Sequence, residues 1–163
     1  MNGFNLAKIE ARLKQIPQEF EGKVVQVGFP TNAQYEDGTP IASIAIIHEF
    51  GAPEAHIPPR PFFGPSIAEH KSDWIRAVKK AVQLGTENDL TAEDALDGVG
   101  DLMAKQIQGT IANLYAPELA ESTLAARRAQ GNNSTKPLNG TAHAIMYDAV
   151  TYAVNDEGAE FTK

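Results

Sequence analysis

Apolar residues recur along the chain in two periods, and these divide it into elements. Leu6, Ile9, Leu13 and Ile16 are spaced three, four and three. That spacing predicts a short amphipathic helix over Leu6–Ile16, with Asn5 as N-cap and Pro17 as its stop. Lys23–Phe29 alternates instead: Val25, Val27 and Phe29 point one way, Val24 and Gln26 the other. This is the pattern of a strand with one buried face. Pro30–Pro40 holds the run Tyr35-Glu36-Asp37-Gly38-Thr39-Pro40 and reads as an exposed, mobile loop. In Ile41–Phe50 four isoleucines favour a strand, but Thr39 as N-cap, Pro40 at the first helical position and Gly51 after the end frame a helix. The frame outweighs the composition and predicts a buried helix. Ala52–Pro65 carries five prolines and predicts an ordered, extended connector.

The second half is more helical. Ser66–Leu84 places Ile67, Trp74, Val78 and Ala81 or Val82 on one stripe, with Ser66 and Glu69 spaced as a capping box. Glu69 and Asp73 lie early and Arg76, Lys79 and Lys80 late, as the helix dipole favours, and Gly85 ends the element. Thr91–Leu114 repeats the helical period through Leu96, Val99, Met103, Ile107, Ile111 and Leu114. Gly98, Gly100 and Gly109 inside it mark either close approach of a neighbouring helix or simple tolerance. Leu119–Ala129 predicts a short helix, and Gln130–Gly140 a mobile loop. Ala149–Val154 alternates again, with Val150, Tyr152 and Val154 on one face, and is the natural partner of the early strand. From about residue 155 the acidic tail Asn155–Lys163 is expected to fray. The expected fold class is α+β: one domain over 1–163, with a small antiparallel sheet packed against three to four helices and room for a third strand.

Composition narrows the function. A length of 163 residues, 42% of them apolar and 21% charged, suits one globular domain. No run of about 18 apolar residues occurs, and Met1–Asn5 lacks the basic start of a secretory signal, so neither a membrane span nor a leader is expected. The net charge of -7 disfavours a nucleic-acid partner. The basic groups Arg76, Lys79 and Lys80, then Arg127 and Arg128, read as solvated faces. No sequence-specific nucleic acid and no membrane is expected as a partner. The absence of cysteine removes disulfides, thiolate catalysis and sulfur-ligated zinc.

Candidate chemistry is sparse. His48, Glu49, Glu54 and His56 lie within nine residues and suggest a metal. Helical zinc motifs set two histidines one turn apart, whereas these are eight apart with Gly51 and Pro53 between them. His70 and His143 stand alone. A metal-dependent hydrolase built on His48, Glu49 and His56 is the remote alternative. No Gly-x-Ser-x-Gly elbow occurs, and Gly98-x-Gly100 sits inside a helix without a third glycine. Paired carboxylates such as Asp94 and Asp97, or Asp156 and Glu157, suit ordinary acidic faces. No catalytic residue, metal site or cofactor is predicted, and the chain is expected not to be an enzyme.

The unusual segment is Thr39–Phe63. It runs from Asp37-Gly38-Thr39-Pro40 through Ala45-Ile46-Ile47-His48-Glu49-Phe50-Gly51 to Ile57-Pro58-Pro59-Arg60-Pro61-Phe62. In this order it resembles the virion morphogenesis proteins of tailed bacteriophages, the neck or tail-completion family. The likeness extends more loosely over residues 22–154, through the Trp74 helix, Ser122-Thr123-Leu124-Ala125-Ala126-Arg127 and Lys136-Pro137-Leu138. It departs where the family has an acidic-Thr-Gly turn and this chain has Asn139-Gly140-Thr141. The resemblance implies a structural protein of the phage neck that joins head to tail or completes the tail. It would act as a ring subunit around the DNA channel, partnered by itself and by other neck, connector and tail proteins. It would be assembled in the host cytoplasm and located in the virion. A tail terminator or another head-tail connector of the same virion is the alternative.

Beside the resemblance stands a physical reading of the same motif. Glu49 and Arg60 flank the connector, and a bidentate pair between them would clamp it. Phe50, Phe62 and Phe63 would serve as apolar anchors. The expected interaction motif is Glu49, Phe50, Gly51, Pro58, Arg60, Pro61 and Phe62, either holding the fold together or also facing a neighbouring subunit.

Overall fold

Two strands of matched length pair first. A computed structural model describes residues 18–88, 90–138 and 145–162. The expected helix Leu6–Ile16 and the Asn139-Gly140-Thr141 turn lie outside the described residues. Strand β1 (Lys23–Gly28) runs antiparallel to β2 (Thr151–Asp156), in register from Lys23 opposite Asp156 to Gly28 opposite Thr151. Val25, Val27 and Phe29 pack inward together with Val150, Tyr152 and Val154, as the alternation requires. The second strand starts two residues later than its pattern suggests. Ala149 and Val150 instead close a short helix, α5 (Ile145–Asp148), by donating to the Ile145 and Tyr147 carbonyls.

The chain beyond residue 155 does not fray as expected. Asn155 and Asp156 complete β2, and the following residues bond back to the first strand and its exit. The Glu157 amide donates to the Gly22 carbonyl (2.6 Å) and the Thr31 amide to the Phe161 carbonyl (2.9 Å). The Gln26 side chain donates to the Ala159 carbonyl (3.0 Å). Polar residues are held here by main-chain partners that composition does not reveal.

Helix α1 (Ile41–Phe50) follows the expected span, with Gly51 in the left-handed region at its end. Its N-cap is Pro40, not Thr39. The Thr39 amide donates to the Asp37 carboxylate (2.9 Å), and Tyr35 and Gly38 amides close the same turn on the Thr39 and Tyr35 carbonyls. Pro30–Pro40 is therefore largely exposed but bonded to itself.

Helix α2 (Phe63–Asn88) and helix α3 (Ala92–Asn113) form the main helical pair. Helix α3 is central: α2, both strands and α5 all pack on it. Thr91 caps it, accepting from the Asp94 amide at 3.1 Å. Its buried row of Leu96, Val99, Gly100, Ala104, Ile107 and Ile111 matches the sequence pattern closely. The larger core cluster joins Ile107 and Ile111 to Ile41, Phe62, Leu138, Met146 and Val150. A smaller one joins Leu96 and Val99 to Ala81. The sheet and helices together make a small α+β fold.

Helix α2 corrects three expectations, the first being its end, since it runs through Gly85 to Asn88. It begins three residues before Ser66, so Ser66 is a fully buried residue of the first turn and no cap. Its buried row is small, Ser66, Ala81 and Gly85, while Ile67 and Val78 of the expected stripe are exposed. The physical reason is close packing. A Cβ at Gly85 would lie 3.0 Å from the Phe20 ring and 3.1 Å from Ala95. Small residues let α2 approach α3, and Ile67, Ile75, Val78 and Leu84 turn outward.

Helix α4 (Glu121–Ala129) leads to a segment expected to be mobile. Through residue 138 it is tied down instead: Arg127 donates to the carbonyls of Ser134, Lys136 and Pro137, and Lys136 Nζ donates to the Ala112 carbonyl. Leu138 is buried. Among the described residues, no helix is long and apolar enough to cross a membrane.

The three helical glycines separate cleanly. A Cβ at Gly100 would overlap the Tyr152 ring of β2, whereas Cβ atoms at Gly98 and Gly109 would meet nothing within 4 Å. The close neighbour is thus a strand and not a helix. Gly100→Ala is expected to destabilise the fold by about 1–3 kcal/mol through overpacking. Gly98→Ala is expected to be neutral or to stabilise by up to about 1 kcal/mol. Urea denaturation of the two variants checks the contrast.

Candidate interaction site

Three backbone amides at the start of α2 have no partner inside their own helix, as at any helix N-terminus. Glu49 supplies one from outside. Its Oε2 accepts from the amides of Phe62 (2.8 Å) and Phe63 (2.9 Å), and its Oε1 accepts from Gly64 (2.9 Å). A carboxylate is well placed there, because the helix dipole is positive at that end.

The expected Glu49–Arg60 pair does not form. Arg60 is buried and turns the other way, with Nε donating to the Pro117 carbonyl and Nη2 to the Glu118 carbonyl, each at 2.9 Å. The fork thus binds the segment that leads into α4. Burial lowers the Arg60 pKa, and the nearby Arg127 charge lowers it further. Each charged group satisfies main-chain groups with no other partner, a use the sequence spacing did not suggest.

Between them the connector is set by main-chain contacts. Ala52 and Ile57 exchange amide–carbonyl bonds across the 3-10 turn Pro53–Ala55, and the Arg60 amide donates to the His48 carbonyl at 2.6 Å. Gly51 is required at the crossing. Its φ is 75°, and a Cβ there would lie 2.8 Å from the Pro59 nitrogen and 2.9 Å from the Ile57 oxygen.

The seven motif residues therefore divide. Glu49, Gly51 and Arg60 fix the backbone, and Phe62 is a core residue at 1% exposure, in edge contact with Phe29. Phe62 cannot also be a surface anchor. Pro58 and Pro61 are exposed, and Phe50 is 74% exposed. Ile46, one turn before Phe50, is 59% exposed. With Ile67 they border an apolar groove of about 420 Å³ floored by Phe29, Phe62 and Phe63. Further along α2, Trp74, Ile75, Val78 and Val82 border a second groove of about 460 Å³, with Phe20 and Met103. Sequence reasoning placed Ile67 and Val78 in the core and so missed this surface. The small row at Ala77, Ala81 and Gly85 was the available signal.

The histidine cluster does not assemble. Glu49 is engaged at the α2 start, Glu54 lies exposed in the 3-10 turn, and His56 caps that turn in a left-handed conformation at φ 56°. His48 faces another way, into a small cavity of about 110 Å³ beside Tyr35, Arg127 and Leu138. Among the described residues, no three His, Asp or Glu come together as a metal site. Of the basic groups, Arg76 pairs with Asp73, Arg128 with Glu121, and Arg127 holds the 134–137 carbonyls. Neither a family model, nor a curated protein, nor a solved structure matches the chain.

Two predictions follow from this geometry. Glu49→Gln should cost about 1.5–3 kcal/mol, the value of a charged hydrogen-bonding group. Because Glu49 and Arg60 have separate partners, Glu49→Ala and Arg60→Ala should add to within about 0.5 kcal/mol. Denaturation of the singles and the double measures this, and strong coupling would restore a direct pair. The second concerns pH. Burial lowers the His48 pKa, followed by the Arg60 and Arg127 charges, and its Nδ1 has no partner among the described residues. The folded protein therefore binds the proton less readily than the unfolded chain, whose histidine titrates near ~6.5. Stability from this group is complete above that pH and is lost as pH falls toward the lowered value. His48→Gln should flatten the acid side of the stability–pH curve below about pH 6.5.

Proposed function

We propose that this protein is a structural subunit of the neck of a tailed-phage virion, working by assembly and not by turnover. It joins head to tail or completes the tail, as one member of a ring around the DNA channel. The observation that carries this role is the set of large apolar side chains left open around the two apolar grooves. Ile46, Phe50, Ile67, Ile75 and Val78 are all more than a third exposed. Large exposed apolar patches on a folded chain mark surfaces that other macromolecules cover. The polar residues of the same motif act within the fold, where Glu49 and Arg60 fix the backbone that displays Phe50. The resemblance of residues 37–63 to neck and tail-completion proteins supplies the kind of assembly.

Deletion of the gene from a phage that carries it tests the role. Electron microscopy of the lysate is expected to find heads and separate tails, or tails with defective upper ends. Adding the purified protein should restore infectivity. Normal, fully joined particles from the deletion would sink the neck assignment.

A further inference from the structure

Among the described residues, a groove on helix α2 is left without a partner, and its rim and floor differ in chemistry. The floor is apolar, from Phe20, Trp74, Ile75, Val78, Val82 and Met103. The rim carries Lys23, Lys71 and Lys79. Lys23 is paired with Asp156 at 2.6 Å, so Lys71 and Lys79 supply the rim's remaining positive charge on a protein of net charge -7. In a separate patch, Phe50 and Ile46 project from the end of α1. The segment that presents them has the opposite charge. From residue 24 to residue 59 the chain contains no lysine or arginine and carries Glu36, Asp37, Glu49 and Glu54. Glu54 is exposed in the turn just after Phe50.

We propose that the groove is filled by a second copy of this chain, whose Phe50 end inserts its aromatic side chain beside Trp74 and Val78 and brings Glu54 to the lysine rim. The proposal rests on the ring role above and names the contact that would build the ring. Two arguments favour this occupant. The apolar end and the apolar groove are complementary in charge, and like-charged surfaces do not dock well. By charge a second copy fits better than the stretch of sequence before Phe20, which carries Lys8, Arg12 and Lys14 against Glu10, the same sign as the rim. Because the Phe50 end and the groove are different patches, the contact is head to tail and repeats from copy to copy. Head-to-tail contacts generate rings when the rotation closes. A preformed Phe50 on a capped, glycine-turned helix end also loses little freedom on docking.

The chain has no cysteine, so engineered thiols report this contact without background. Phe50→Cys and Val78→Cys chains are mixed and oxidised at about 100 µM, which populates a contact of micromolar Kd. A covalent heterodimer is expected. Its yield should exceed by about tenfold that of Phe50→Cys mixed with Lys80→Cys, since Lys80 lies two residues, or about 200°, around the helix from Val78. The chain carrying both Phe50→Cys and Val78→Cys is expected to form a covalent ladder longer than dimers. Lys71→Glu with Lys79→Glu should lower the heterodimer yield. Equal yields with the Lys80 control, predominant Phe50–Phe50 dimers, or a double-cysteine chain that closes at dimers would each overturn the proposal. If cross-linking fails while the purified protein still restores joined particles, this contact falls and the neck role stands.

Discussion

The carboxylate of Glu49 at the start of α2 is the constraint on which the rest of the arrangement depends. One side chain near the end of α1 accepts three amides that begin the next long helix. This sets the angle at which the proline connector returns and fixes where α2 starts. With that start fixed, the rotation of α2 is fixed too, because each residue advances the side-chain direction by a set angle. Ala81 and Gly85 then face α3, Ser66 is buried, and Ile67, Ile75 and Val78 face outward.

A division of labour follows within a short stretch of chain. Residues that look functional by type, Glu49 and Arg60, are structural by position. Each satisfies main-chain groups that would otherwise lack partners. Gly51 allows the connector to cross close to the end of α1, where any side chain would collide with Pro59 and Ile57. The residue next to these, Phe50, belongs to none of those contacts and stands 74% exposed. A rigid frame that displays an exposed aromatic costs little further entropy when that aromatic is covered. This is why the connector is better understood as a mount for a surface than as the surface itself.

The core shows the same economy of contact. Tyr152 reaches across to α3 at Gly100, the only one of the three helical glycines considered whose missing Cβ makes room for a ring. Its hydroxyl donates to Asp97 on the same helix, which raises the Tyr152 pKa. The sheet is thereby locked to the central helix by one aromatic residue that both packs and bonds. The residues beyond 155 bond to the edge of that sheet, and Arg127 ties the segment after α4 to the fold through carbonyls alone.

Local pattern was enough for most of the elements, though not for α5 or for the ends of α2 and β2. The alternation of Val25, Val27 and Phe29 and of Val150, Tyr152 and Val154 specified two strands and their inner faces. The period of Leu96 through Ile111 specified the central helix, and Pro40 with Gly51 framed α1. These depend on near neighbours in sequence, whose spacing is visible directly. The sequence also marked residues 37–63 as the unusual segment. It did not reveal which charge meets which partner. Glu49 chose amides and Arg60 chose carbonyls, and main-chain groups leave no trace in residue type. Nor did it reveal the rotation of α2, since a stripe of large apolar residues and a row of small ones both satisfy the helical period. Only close approach to α3 decided between them: small residues permit that approach, so the large ones were left to form the outer face.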